Sequence, residues 1–104
     1  MEHIRVMLCC GAGMSSGFLA QKTRAAAKKK DISMQIDARS ESQVPQYLNS
    51  IDVLLIGPHY ASQLSSYEEL TKGKGIKLAV IPKAIYGTLD GAALLAFILE
   101  LIAS

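Results

Sequence analysis

Residues 4–17 read IRVMLCCGAGMSSG, an apolar run followed by a loop rich in glycine and serine. The near-continuous apolar stretch 4–9 is typical of a strand that is buried on both faces, as in a parallel sheet. The glycines end the strand, and we expect Ser15 or Ser16 to cap a helix that runs to about Lys30. The stretch therefore predicts a strand–loop–helix unit.

Three more strand patterns follow, and helical patterns separate them. The strands are predicted at residues 34–38, 53–56 and 78–81. The helices are predicted around residues 45–49, at about 61–70, and at 91–103. This alternation and the preference for right-handed crossovers predict an α/β fold, a single open four-stranded parallel sheet in the order 2-1-3-4 with helices on both faces. No linker or repeat divides the chain, so we expect one domain over residues 1–104.

Charge is unevenly distributed along the chain. Residues 1–30 carry six basic side chains and one acidic one, whereas residues 31–104 carry five basic and eight acidic ones. The basic first part suits an acidic ligand or partner near the first helix, although lysines 28–30 alone fit a solvated helix face better. The net charge is only +2 and no aromatic residues lie among the basic ones, so nucleic acid is not expected as a partner.

The two cysteines, Cys9 and Cys10, are adjacent, and neighbours on a strand point to opposite faces. An ordinary structural disulfide between them would be strained. Glu2 and Arg5 interrupt any signal-peptide pattern, and the longest apolar stretch, residues 92–99, is too short to span a bilayer. These features predict a cytoplasmic protein that does not itself span the membrane.

The loop after the first strand combines a nucleophile with groups suited to bind an anion. Ligands of open parallel sheets bind at the carboxyl ends of strands, where strand order reverses, and the first strand leads to that point. Glycines allow backbone N–H groups to approach a ligand closely, and a helix N-terminus offers further donors that also favour a thiolate. The candidate nucleophile is Cys10. The candidate phosphate-binding residues are Gly11, Ala12, Gly13, Met14, Ser15 and Ser16.

Four motifs carry a resemblance to a known family: the run 10–16, Gly57-Pro58, Tyr86-Gly87 and Asp90-Gly91. Together they resemble the IIB component of the lactose/cellobiose (N,N'-diacetylchitobiose) branch of the bacterial phosphoenolpyruvate-dependent sugar phosphotransferase system, over essentially the full length. The resemblance implies a phosphotransferase in which Cys10 takes a phosphoryl group from a phosphohistidine of the IIA protein. Cys10 then passes the group to a sugar bound by the membrane component IIC. Cellobiose, chitobiose and lactose-type sugars remain open.

The same resemblance implies a carrier that meets IIA and IIC in turn at the inner face of the cell membrane. We expect no cofactor or metal, because His3 and His59 are far in sequence from each other and no spacing suits a metal site. One exposed loop suffices for this work, so we expect a monomer. Three candidate accessory residues are His59, Tyr86 and Asp90. Their simpler interpretations are a surface histidine, a packing tyrosine and a helix N-cap. The chain departs from the family pattern at Cys9, Gly11 and His59, and Cys9 is interpreted as a small core residue.

The main alternative is a cysteine phosphatase that resembles the low-molecular-weight tyrosine phosphatases. Those enzymes place an arginine six residues after the cysteine, where this chain has Ser16, and they use an Asp-Pro acid that is absent here. A redox module is disfavoured because no residue separates the two cysteines. A receiver domain is disfavoured because the first strand lacks an acidic cluster for magnesium.

Overall fold

Strands and helices alternate along the computed structural model, which describes residues 3–9 and 14–103, without the side chains of residues 14–16. The strands are β1 Ile4–Cys9, β2 Met34–Arg39, β3 Val53–Ile56 and β4 Lys77–Val80. The α-helices are α1 Met14–Lys29, α2 Val44–Tyr47, α3 Leu64–Thr71, α4 Lys83–Thr88 and α5 Gly91–Ala103. Two 3-10 helices cover Glu41–Gln43 and Pro58–Gln63.

The four strands form one parallel sheet in the order β2-β1-β3-β4, which confirms the predicted order. In the register of the sheet, Val6 of β1 lies opposite Ile36 of β2 and Val53 of β3. Strands β1 and β3 therefore occupy the centre. All carboxyl ends meet at one edge of the sheet, which we call the carboxyl edge.

Alternate residues of β1 enter two separate apolar cores. Val6 and Leu8 pack on one face of the sheet with residues of α1 and α5, such as Leu19 and Leu94. Met7 and Cys9 face the opposite side, where residues of α2 and α3 pack against them. Because successive strand side chains point to opposite faces, the continuous apolar run of β1 supplies both cores. Helices therefore cover both faces, as predicted.

The helix boundaries correct three expectations. Helix α1 begins at Met14, so Ser15 and Ser16 already have helical backbone and neither is the N-cap. Residues 61–63 belong to the 3-10 helix rather than to an α-helix, because Pro58 starts a tight turn in which the Tyr60 N–H donates to the Gly57 carbonyl at 2.9 Å. Helix α4 is not among the predicted helices.

Within the described ranges, no helix is both long and apolar enough to cross a membrane. The longest apolar helix, α5, instead packs its buried face against the sheet and against α1.

An ion pair at the amino edge of the sheet gives a pH-dependent contribution to stability. Asp52 precedes β3 and accepts hydrogen bonds from the Arg5 backbone N–H at 2.9 Å and from the Arg5 guanidinium at 3.1 and 3.2 Å. The side-chain hydrogen bond from Arg5 holds the pKa of Asp52 below its usual value.

Because folding lowers the pKa of Asp52, the ion pair stabilises the fold fully at pH values above the pKa that Asp52 has in the unfolded chain. The contribution is lost as pH falls through the lower folded value. We expect Asp52→Asn to lower the urea midpoint at pH 7, and to lower it progressively less as the pH falls below the ordinary pKa of an aspartate, as measured by circular dichroism. An equal loss at every pH would contradict this explanation.

Candidate active site

The central strand β1 ends beside β3, at the point where strand order reverses. The Gly57 backbone N–H donates to the Cys9 carbonyl oxygen at 3.1 Å and ties the two strand ends together. Cys10 is the next residue in the chain, and only residues 10–13 separate β1 from α1. The strand–loop–helix unit therefore leads to the crevice where open parallel sheets bind ligands.

Most of the predicted loop lies outside the described residues. This applies to Cys10, Gly11, Ala12 and Gly13. Met14, Ser15 and Ser16 form the first turn of α1, and their side chains are likewise outside the description. The backbone of that turn supplies N–H groups without partners inside the helix, which are suited to bind an anion.

Cys9 is fully buried in the core on the α2–α3 side of the sheet. Its Sγ lies 3.5 Å from the Tyr67 hydroxyl, within hydrogen-bonding distance for sulfur. Burial raises the pKa of the Cys9 thiol, and the hydrogen bond to Tyr67 only partly opposes this effect. A buried neutral thiol is a poor nucleophile, which confirms the interpretation of Cys9 as a core residue.

The fold brings His59 and Tyr86 together at the carboxyl edge. His59 lies in the 3-10 helix that follows β3, and Tyr86 lies in α4, which follows β4. The centroid of the His59 ring is 4.6 Å from that of Tyr60 and 5.8 Å from that of Tyr86. His59 is exposed, whereas Tyr86 is half-buried and packs against the α1–α5 core. The two candidate residues thus share one patch of surface.

Asp90 is the N-cap of α5, as its simpler interpretation predicts. Its Oδ1 accepts a hydrogen bond from the Ala93 N–H at 3.0 Å. The side chain lies at a groove between α1 and α5, which Lys22 and Lys29 also line, and not at the cavity beside His59. A further role for Asp90 in the site stays a prediction.

Two residues near the carboxyl edge were not among the predicted site residues. Lys83 begins α4 and lines the same cavity as His59 and Tyr86. Phe18, in the second turn of α1, leaves 52% of its surface exposed. The signal for α4 is the proline at 82 followed by Lys-Ala-Ile-Tyr, but this run is too short to show a helical period.

These features define the class of the protein: an open parallel α/β domain whose central strand β1 ends at the edge where such sheets bind ligands, with Cys10 next in the chain. Residues 5–97 match the family model described as "PTS system, Lactose/Cellobiose specific IIB subunit". The chain belongs to this family of the sugar phosphotransferase system, a transferase system for sugar transport, and the resemblance seen in the sequence is confirmed.

Individual relatives agree with the family. The galactose-specific EIIB component of Lactococcus lactis subsp. cremoris is 30% identical over 96 residues, which cover 88% of this chain and 89% of the relative. The lactose-specific EIICB component of Streptococcus mutans is 31% identical over 101 residues, or 95% of this chain but only 18% of the relative. The lactose-specific IIB domain structure from Streptococcus pneumoniae has a TM-score of 0.85 at 17% identity and covers 94% of this chain and 96% of its own. That likeness shows the fold.

Proposed function

We propose that the chain is a single phosphoryl-carrier domain in which Cys10 receives phosphate from a phosphohistidine of IIA and donates it to a sugar held by IIC. The observation that carries the proposal is the position of the segment 10–13. In the sequence it joins β1, which ends at Cys9 beside β3, to α1, which begins at Met14. A nucleophile there is next to backbone donors suited to phosphate.

The proposed reaction has two displacements at phosphorus. In the first, the Cys10 thiolate forms an S–P bond while the P–N bond to the donor histidine breaks, and its electron pair stays on that nitrogen. In the second, a sugar hydroxyl forms an O–P bond, the S–P bond breaks with its electron pair returning to sulfur, and the hydroxyl proton leaves to solvent. Backbone N–H groups of residues 11–16 stabilise the phosphoryl oxygens in both steps.

A relative supports IIC as one of the two proposed partners. The EIICB relative from Streptococcus mutans is a longer protein that contains a region similar to this chain. Its name combines the B and C components. A carrier with one reactive loop meets IIA and IIC in turn, so both complexes are small and short-lived. The exposed Phe18 gives such partners an apolar contact beside the loop. We expect a cytoplasmic monomer that reaches the inner face of the membrane only through IIC.

Tyr86 and His59 are proposed as accessory residues because the fold places them at the same edge as the end of β1. A phosphatase would require a general acid and an arginine clamp, and the chain has neither an Asp-Pro pair nor an arginine six residues after Cys10. The sequence therefore favours a carrier over a hydrolase.

The test is to incubate the protein with phosphorylated IIA and to map the modified residue by mass spectrometry under conditions that preserve a thiophosphate. We expect one phosphoryl group, on Cys10, and its loss when sugar-loaded IIC membranes are added. Phosphate on a histidine of this chain would contradict the proposal. Steady hydrolysis of aryl phosphates would favour the phosphatase instead.

A further inference from the structure

An open cavity of about 450 Å³ lies at the carboxyl edge, between the segments that follow β3 and β4. Its lining consists of Pro58, His59, Lys83, Tyr86 and Gly87. Two of these residues carry nitrogen donors, and none of the described lining residues is acidic. Neither His59 nor Lys83 forms an ion pair within residues 3–9 and 17–103. The chemistry of the cavity therefore suits an anion.

Aromatic neighbours hold the imidazole in place. The His59 ring is tilted by 39° against Tyr60 and by 56° against Tyr86, at distances typical of packed aromatic pairs. Pro58 restricts the backbone directly before His59. A ring positioned by packing loses less conformational entropy when it binds a ligand than a freely rotating side chain does.

A backbone hydrogen bond joins the segment before the cavity to the end of β1. Gly57 donates to the carbonyl of Cys9, the residue before Cys10, and Pro58 follows Gly57 in the chain. An anion bound by His59 and Lys83 would thus lie at the same edge of the sheet as the end of β1, which Cys10 follows in the chain. A phosphoryl group on a donor protein is the anion that must reach this point.

We infer that His59 and Lys83 form a receiving site that binds the oxygens of the incoming phosphoryl group before transfer to Cys10. The inference rests on the proposed function and identifies the residues that recognise the donor's phosphate. A hydrogen bond from the charged lysine to a phosphate oxygen is stronger than a neutral one, and the imidazole adds a further nitrogen donor. His59 and Lys83 form no bond to phosphorus. They therefore affect the affinity for phosphorylated IIA more than the rate of the displacement.

The test compares His59→Phe, Lys83→Met and the double variant with wild type. Phenylalanine keeps the ring packing and removes the nitrogen donors, while methionine keeps most of the side-chain stem and removes the charge. The rate of phosphocysteine formation is measured against the concentration of phosphorylated IIA at low salt. We expect the double variant to raise the half-saturating concentration by about fivefold, with a maximal rate within about twofold, and the difference to shrink in 0.5 M salt.

Lys74→Met is the matched control, because Lys74 is an exposed lysine in the turn before β4, at the opposite edge of the sheet. It should leave the half-saturating concentration unchanged. Two results would overturn the inference even if phosphate still appears on Cys10. One is a double variant with the same half-saturating concentration as wild type, and the other is a Lys74→Met effect as large as that of the double variant. If wild-type Cys10 takes no phosphate at all, the proposed function fails as well.

Discussion

Replacing Cys10 with serine is expected to abolish phosphoryl transfer, with a loss of at least about a thousandfold. Near neutral pH a serine hydroxyl is almost entirely protonated, whereas a thiol at a helix N-terminus has a substantial thiolate fraction. Sulfur is also the better leaving group when the sugar hydroxyl attacks. The measurement is the rate of phosphate transfer from phosphorylated IIA to the chain, followed by intact-protein mass spectrometry.

The adjacent cysteine provides the matched control. Cys9 is buried against Tyr67, and burial keeps its thiol protonated, so Cys9→Ser should preserve most of the transfer activity. Serine is smaller than cysteine, but its hydroxyl can still bond with that of Tyr67, so the variant should fold. Loss of transfer only in the Cys9 variant would contradict the assignment of Cys10.

The second large effect is expected from Gly91→Ala, which should destabilise the protein by about 2 kcal/mol. A Cβ atom added at Gly91 would lie 2.4 Å from the Lys22 carbonyl carbon and 2.6 Å from the Thr23 backbone nitrogen. These are backbone atoms of α1, so relief requires the two helices to separate. The free energy of unfolding, measured by urea denaturation, should fall accordingly.

Gly87→Ala is the matched control, because Gly87 is also helical and a Cβ atom there meets nothing within 4 Å. Alanine has the higher helix propensity, so this variant should be neutral or more stable by up to about 1 kcal/mol. If both variants lost the same stability, the close approach of α5 to α1 would not be the cause.

Periodicity and chain breakers were sufficient to predict the sheet. The apolar run of β1 and the run at Val53–Ile56 are each ended by glycine, and both strands lie where they were predicted. Burial of Cys9 also followed from its place in such a run. Sequence reasoning was weaker where structure depends on short-range geometry. It placed a cap at Ser15 or Ser16 inside the first turn of α1, and it missed the six-residue α4 because so short a helix has no readable period.

For the candidate site, too, local features could be predicted from the sequence and long-range contacts could not. The proposal that Cys10 is the nucleophile, in a loop suited to phosphate, comes from the sequence, because a strand, a cysteine and a glycine-rich turn are consecutive there. The sequence also determined the strand order, through the alternation of strands and helices. Only the tertiary structure decided that His59 meets Tyr86 and Lys83, residues more than twenty positions apart. Their meeting depends on the parallel register that places Ile56 opposite Val80, and long-range register follows from packing both sheet faces rather than from any local pattern.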